Sequence, residues 1–166
     1  MSLTPPLIAA SLAVAIGSVS AADLGALDLS SGSSGFANTP VAGSFVDMLT
    51  FTLPVPSIAT ASVTTVVGGN QDIDFASVAL SGPGGVFAFA PLLGDPVEVW
   101  ALPDGGASLA AGAYTLTLAG TNSAAIASYG GNLAVMPISP VPEPASFALM
   151  LAGASVVLFL ARRRRD

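Results

Sequence analysis

Cysteine, histidine and lysine are absent from this 166-residue chain, and its only basic side chains are the four consecutive arginines Arg162, Arg163, Arg164 and Arg165. Each absence removes a chemistry. Without thiol or imidazole there is no thiolate nucleophile, no Ser-His-Asp triad and none of the zinc sites built on those ligands. No disulfide can staple the fold, so the core alone must hold it. From Met1 to Ala161 the one positive charge is the terminal amine, which excludes a nucleic-acid surface because phosphate recognition rests on Lys and Arg. Charged residues make up only 8% of the chain, the net charge is −6 and the isoelectric point is near 4.1.

Eight acids lie between Asp23 and Asp104 with no basic partner among them. A two-carboxylate glycosidase would need a facing pair and an aromatic sugar platform. These acids fall mostly in turn-like stretches, and only Trp100 and two tyrosines could build the platform. The pattern reads as a solvated acidic surface on a protein that is not an enzyme, with no metal and no cofactor implied.

What the chain does have is apolar sequence at both ends, and a mean hydropathy of +0.78. Leu7–Ile16 (LIAASLAVAI) is too short to cross a bilayer as a stable anchor, and the small residues of GSVSAAD follow it. Together they predict a signal peptide over residues 1–22, cleaved after Ala21 or Ala22, although no basic residue precedes the run. At the other end, Ala145–Ala161 is uncharged. As a helix rising about 1.5 Å per residue it reaches roughly 26 Å, the lower limit for crossing hydrocarbon. Arg162–Arg165 follow at once, and each cation costs about 2.5–3.5 kcal/mol to carry into the apolar layer, so this end is expected to stop in the cytoplasm. Pro142 and Pro144 bracket Glu143 just ahead of the helix, which predicts a stiff, extended segment over Val141–Pro144.

The order Pro142-Glu143-Pro144, a short apolar helix with the run FALMLAG, and a terminal arginine cluster resembles the PEP-CTERM sorting signal of Gram-negative bacteria. The resemblance implies that exosortase, a multi-spanning membrane enzyme, processes the chain near the motif Val141, Pro142, Glu143 and Pro144. The domain would then wait in the periplasm on an inner-membrane anchor before reaching the cell surface or the extracellular matrix. Exosortase and the membrane are the implied partners, with extracellular polysaccharide a further one.

Between the ends, short alternating runs are broken by turn residues such as Gly68-Gly69-Asn70, Gly82-Pro83-Gly84-Gly85 and Pro103-Asp104-Gly105-Gly106. Strands are predicted from Phe45 to Leu53 and over Ser62–Val67, Asp74–Leu80, Val86–Ala90, Val97–Leu102, Ala113–Ala119 and Ser128–Val135. This pattern predicts an all-β fold, an antiparallel β-sandwich, followed by the single C-terminal transmembrane helix. The organisation reads as a signal peptide (1–22), a flexible lead-in (23–43) containing SSGSSG, the β-sandwich (44–140) and the sorting signal (141–166). The run FVDMLTFT, then DIDF and LAAGAYTLTLAGT, resembles the FxDxF-type PEP-CTERM proteins, with Phe45, Asp47, Leu49 and Phe51 as the family motif and Leu49 in place of a second phenylalanine. AGAYTLTLAGT is also similar to strands of small β-sandwich domains appended to secreted peptidases, which implies a jelly-roll-like arrangement.

Alternation places Asp47 on the face shared by Phe45, Leu49 and Phe51, where a carboxylate is costly unless hydrogen-bonded. With no cation to pair, it must accept backbone or hydroxyl hydrogen bonds, sit near a strand end in water, or ligate a hard cation such as Ca²⁺. Asp72 and Asp74 alternate as well, but GGNQDIDF lacks the spacing of known calcium loops. The chain therefore reads as an exported, non-enzymatic envelope or matrix protein. The alternatives are a carbohydrate- or calcium-binding module and a permanently anchored surface protein.

Overall fold

The computed structural model describes residues 19–124, 126–138, 149–155 and 162. The chain divides into two units, Met1–Met136 and Pro137–Asp166. In the first unit the strands are β1 (Ser20–Ala26), β2 (Ser33–Asn38), β3 (Gly43–Leu53), β4 (Ser57–Val66), β5 (Ile73–Gly82), β6 (Gly85–Ala88), β7 (Ala90–Leu93), β8 (Val97–Ala101), β9 (Ala107–Leu109), β10 (Gly112–Asn122) and β11 (Tyr129–Pro137). One sheet runs β1-β3-β10-β5-β6; the other runs β2-β11-β4-β8-β7, with β9 added beside β4.

Period-two patterning sets the inner faces. β3 buries Phe45, Asp47, Leu49, Phe51 and Leu53, and β10 answers with Tyr114, Leu116 and Leu118, while Thr50, Thr52, Thr115 and Thr117 turn outward. From the second sheet come Ala59, Ala61 and Val63 of β4 and Tyr129 and Leu133 of β11, and the two inner faces share one apolar core. Each large side chain fully buried there contributes about 1.5–3 kcal/mol, which is how a chain without disulfides holds together. Tyr129 of β11 knits the two sheets, its ring 6.0 Å from Phe45 and 5.5 Å from Phe75 between centroids, while within the first sheet Phe51 stacks on its cross-strand neighbour Tyr114 at 5.4 Å.

The seven predicted strands are present, and the structure corrects four details. Residues 23–43 are not a flexible lead-in: they hold most of β1 and all of β2. Both strands are built from Ser, Ala and Gly with hardly a β-branched residue, so local propensity is silent and pairing with neighbours decides. β1 pairs parallel to β3, from Ser20 opposite Phe45 to Ala26 opposite Thr50, so the sandwich is not wholly antiparallel. It begins at Ser20, ahead of the predicted cleavage points, whereas the sequence placed its start at 44. The run Val86–Ala90 is two strands, because the chain crosses from one sheet to the other at Phe89, whose ring is buried and whose N–H bonds Val78 O at 2.9 Å.

In the second unit, residues 149–155 are helical and Leu149, Met150 and Leu151 are exposed. Among the described residues no helix is long and apolar enough to cross a membrane. Most of the expected span 145–161, and the leader core Leu7–Ile16, lie outside the described residues.

Candidate functional site

Asp47 is 1% exposed in the middle of β3, with Phe45, Leu49 and Phe51 buried along the same face. Its Oδ2 accepts two hydrogen bonds, from Tyr129 Oη at 2.6 Å and Asn38 Nδ2 at 2.8 Å. Tyr129 and Asn38 face each other across the β11–β2 pair, so both donors arrive from the opposite sheet. The carboxylate is thus a polar rivet through the core. Burial, then the hydrogen bond to Asp47, push the Tyr129 phenol far above its ordinary value of 10.0. Of the options open from sequence, acceptance of hydrogen bonds is the one realised, from a phenol and an amide and not from the backbone. Among the described residues Asp47 belongs to no cluster of three acids that could hold a cation.

Asn122, buried at the end of β10, does a similar task. Its amide donates to Pro40 O in the loop before β3, and its Oδ1 accepts the Ala124 N–H at 3.0 Å. On β8, Glu98 takes the Phe75 N–H at 3.2 Å and the Trp100 indole N–H at 2.8 Å. The Phe75 amide needs this partner because the β5–β10 register slips between Ala119 and Gly120, leaving a bulge in β5.

A carboxylate cluster forms where Asp72 and Asp74 at the start of β5 meet Asp95: one oxygen from each lies within 4.8 Å of the others. Asp72 is anchored through its backbone, its N–H bonding Ser123 Oγ at 2.8 Å and its carbonyl accepting the Ser123 N–H at 2.8 Å. Its Oδ1 is buried without a hydrogen-bond partner. Desolvation, followed by the charges of Asp74 and Asp95, raises the Asp72 carboxyl above 3.8. Oxygen-only donors of this kind suit a hard cation such as Ca²⁺.

A groove of about 430 Å³ on the second sheet is lined by Thr60, Ser62, Leu92, Pro103, Asp104 and Asn132, among others. It contains no aromatic side chain. Tyr114 and Tyr129 are each 2% exposed, and Trp100 packs half-buried against the core, so the rings counted from sequence as a sugar platform serve the interior instead. Sequence reasoning singled out Asp47 but not its donors Asn38 and Tyr129, nor Asp95 and Ser123 beside Asp72. Nothing local marks those positions. They are recruited from distant segments by topology.

The motif residues Val141, Pro142, Glu143 and Pro144, and Arg163, Arg164 and Arg165, lie outside the described residues; Arg162 is helical and exposed. Comparison with known proteins bears on this segment directly. Residues 140–165 match the family described as the PEP-CTERM protein-sorting motif, so the chain carries that sorting signal at its C-terminal end. No curated protein matches the chain. Among solved structures, the pre-peptidase C-terminal domain of collagenase from Bacillus anthracis is similar at 13% identity over 70% of this chain and 94% of that one, with a TM-score of 0.39. The Aeromonas hydrophila PliG, a periplasmic lysozyme inhibitor of g-type lysozyme, is similar at 16% identity over 72% of this chain and 100% of that one, with a TM-score of 0.33.

Proposed function

We propose that this chain is an exported, non-enzymatic β-sandwich protein of the FxDxF-type PEP-CTERM class, held briefly at the inner membrane by its C-terminal helix and released by exosortase. The observation that carries the reading is the sorting-motif match over residues 140–165. The predicted leader directs the domain outward, the arginines hold the tail in the cytoplasm, and Val141–Pro144 is presented at the outer boundary. The released, jelly-roll-like domain resides at the cell surface or in an exopolysaccharide matrix. The groove on its second sheet is lined mainly by apolar surface and holds no aromatic side chain, which suits a structural role, and among the described residues no facing acid pair with a sugar platform supports hydrolysis. Co-expression with exosortase should shorten the protein by its helix and arginines, as read by intact mass. A Glu143→Ala variant should keep them. An unshortened wild-type product refutes sorting.

A second reading, a calcium-binding surface module, is favoured by the three convergent carboxylates and the partnerless Asp72 Oδ1. Calorimetric titration of the chain with Ca²⁺ tests it, and a flat trace removes it.

A further inference from the structure

The link between β8 and β9 turns on Pro103-Asp104-Gly105-Gly106, closed by the Gly106 N–H donating to Pro103 O at 3.0 Å. Both central residues have positive φ, 54° at Asp104 and 77° at Gly105, as the mirror-image type I′ turn demands. Among the described residues Asp104 is the one non-glycine residue in that left-handed region, and it is exposed. It is also the only aspartate of the chain followed by glycine. Asp95 precedes Pro96, whose nitrogen carries no proton, and the others in the first unit precede Leu, Ile, Met or Phe, whose side chains crowd the adjoining amide. A Cβ built on Gly105 would meet no atom within 4 Å, so the Asp104–Gly105 peptide plane has open space in which to swing.

We propose that Asp104–Gly105 is a site of spontaneous isomerisation, at which the aspartyl link becomes an isoaspartyl one. Gly105 N bonds to Cγ of Asp104 in its carboxylic acid form; the C–OH bond breaks, and the hydroxyl leaves with the amide proton as water. The resulting five-membered succinimide then takes up water. When the bond between Gly105 N and the main-chain carbonyl carbon of Asp104 breaks, the nitrogen regains its proton and the chain continues through Cγ. The former main-chain carbonyl is left as a free carboxylate, and water has been lost once and gained once. The product has one extra methylene in its backbone, which releases residue 104 from the left-handed conformation. The lengthened link cannot relax toward β4, because Gly106 is already pressed there: a Cβ on it would lie 2.5 Å from Ala59 O. Buried Leu102 and Leu109 anchor the chain on either side, so the turn bows outward. Asp104 is the one charged residue lining the groove on the second sheet, and isomerisation sets that carboxylate on a differently directed stem.

The full-length chain in detergent, aged at neutral pH, should accumulate isoaspartate at residue 104. Isoaspartyl methyltransferase labelling with peptide mapping reads this, as does resistance to an endoproteinase that cuts ahead of aspartate. The rate should lie within tenfold of that for the same chain unfolded in denaturant, since the turn leaves the peptide plane free. Asp104→Asn keeps a residue suited to positive φ and should pass through the same succinimide at least tenfold faster. Asp104→Gly also suits the turn, so it should fold and carry no label at this position. A folded chain that isomerises more than tenfold slower than the unfolded one overturns the proposal, because the turn then protects the bond. Labelling spread evenly over the aspartates, or undiminished in Asp104→Gly, overturns it equally.

Discussion

Tyr129→Phe is the sharpest probe of the polar rivet in the core. The change deletes one oxygen and leaves the ring where it packs, 6.0 Å from Phe45 and 5.5 Å from Phe75, so the apolar contribution is unaltered. What is lost is the 2.6 Å hydrogen bond to Asp47 Oδ2, after which Asn38 alone serves that oxygen. A hydrogen bond to a charged, buried acceptor contributes about 1.5–3 kcal/mol. At about 4 °C per kcal/mol for a domain of this size, the melting temperature should fall by roughly 6–12 °C. Tyr114→Phe is the internal control: its hydroxyl bonds the neutral carbonyls of Pro83 at 2.8 Å and Ala110 at 3.0 Å. Its loss should cost only about 0.5–1.5 kcal/mol. Thermal unfolding of both variants, repeated in an Asp47→Asn background, gives a double-mutant cycle. Neutralising the acceptor should cut the Tyr129→Phe cost by about 1 kcal/mol or more. Equal costs in the two backgrounds, or a Tyr114→Phe loss larger than that of Tyr129→Phe, refutes the reasoning.

Three further outcomes are expected. Glu98→Gln removes a charged acceptor shared by the Phe75 N–H and the Trp100 indole; it should cost about 1 kcal/mol and shift the single-tryptophan emission to the red. Gly131→Ala drives a methyl into the Phe36 ring and to 2.6 Å from Ser62 O, so it should destabilise by about 2–3 kcal/mol in chemical denaturation, with Gly68→Ala, which meets nothing, as the comparison. Asp72 titrates above 3.8, so the folded state holds its proton more tightly than the unfolded chain; stability is fully present below 3.8 and is lost as pH rises through the raised value. Asp72→Asn should therefore raise the melting temperature at neutral pH and leave it unchanged near pH 3, and a fall at neutral pH contradicts the assignment.

The strands rich in Val, Phe, Thr and Leu were legible in sequence because their alternation is a local property. FVDMLTFT needs no partner to reveal which side faces in, and Asp47 could be placed beside Phe45, Leu49 and Phe51 from spacing alone. β1 and β2 were not legible. SAADLGA and SSGFAN carry almost no strand signal, and both are extended because β3 and β11 offer them hydrogen-bonding edges. The same limit governs the sites. Asp47 shows in the pattern, but Tyr129 lies 82 residues away, and the gathering of Asp95 beside Asp72 follows from sheet order. The tail was legible for the opposite reason: its proline pair, apolar run and arginine block are contiguous, and chemistry written in a line needs no fold to be read.

The place of β10 between β3 and β5 has a consequence for biogenesis. Both of those strands emerge from the ribosome long before their shared neighbour, and neither can complete its ladder until Gly112–Asn122 follows. A nascent or translocating chain must therefore travel with two unzipped flanks, and any product ending before residue 112 is left with sticky edges that a chaperone would have to guard.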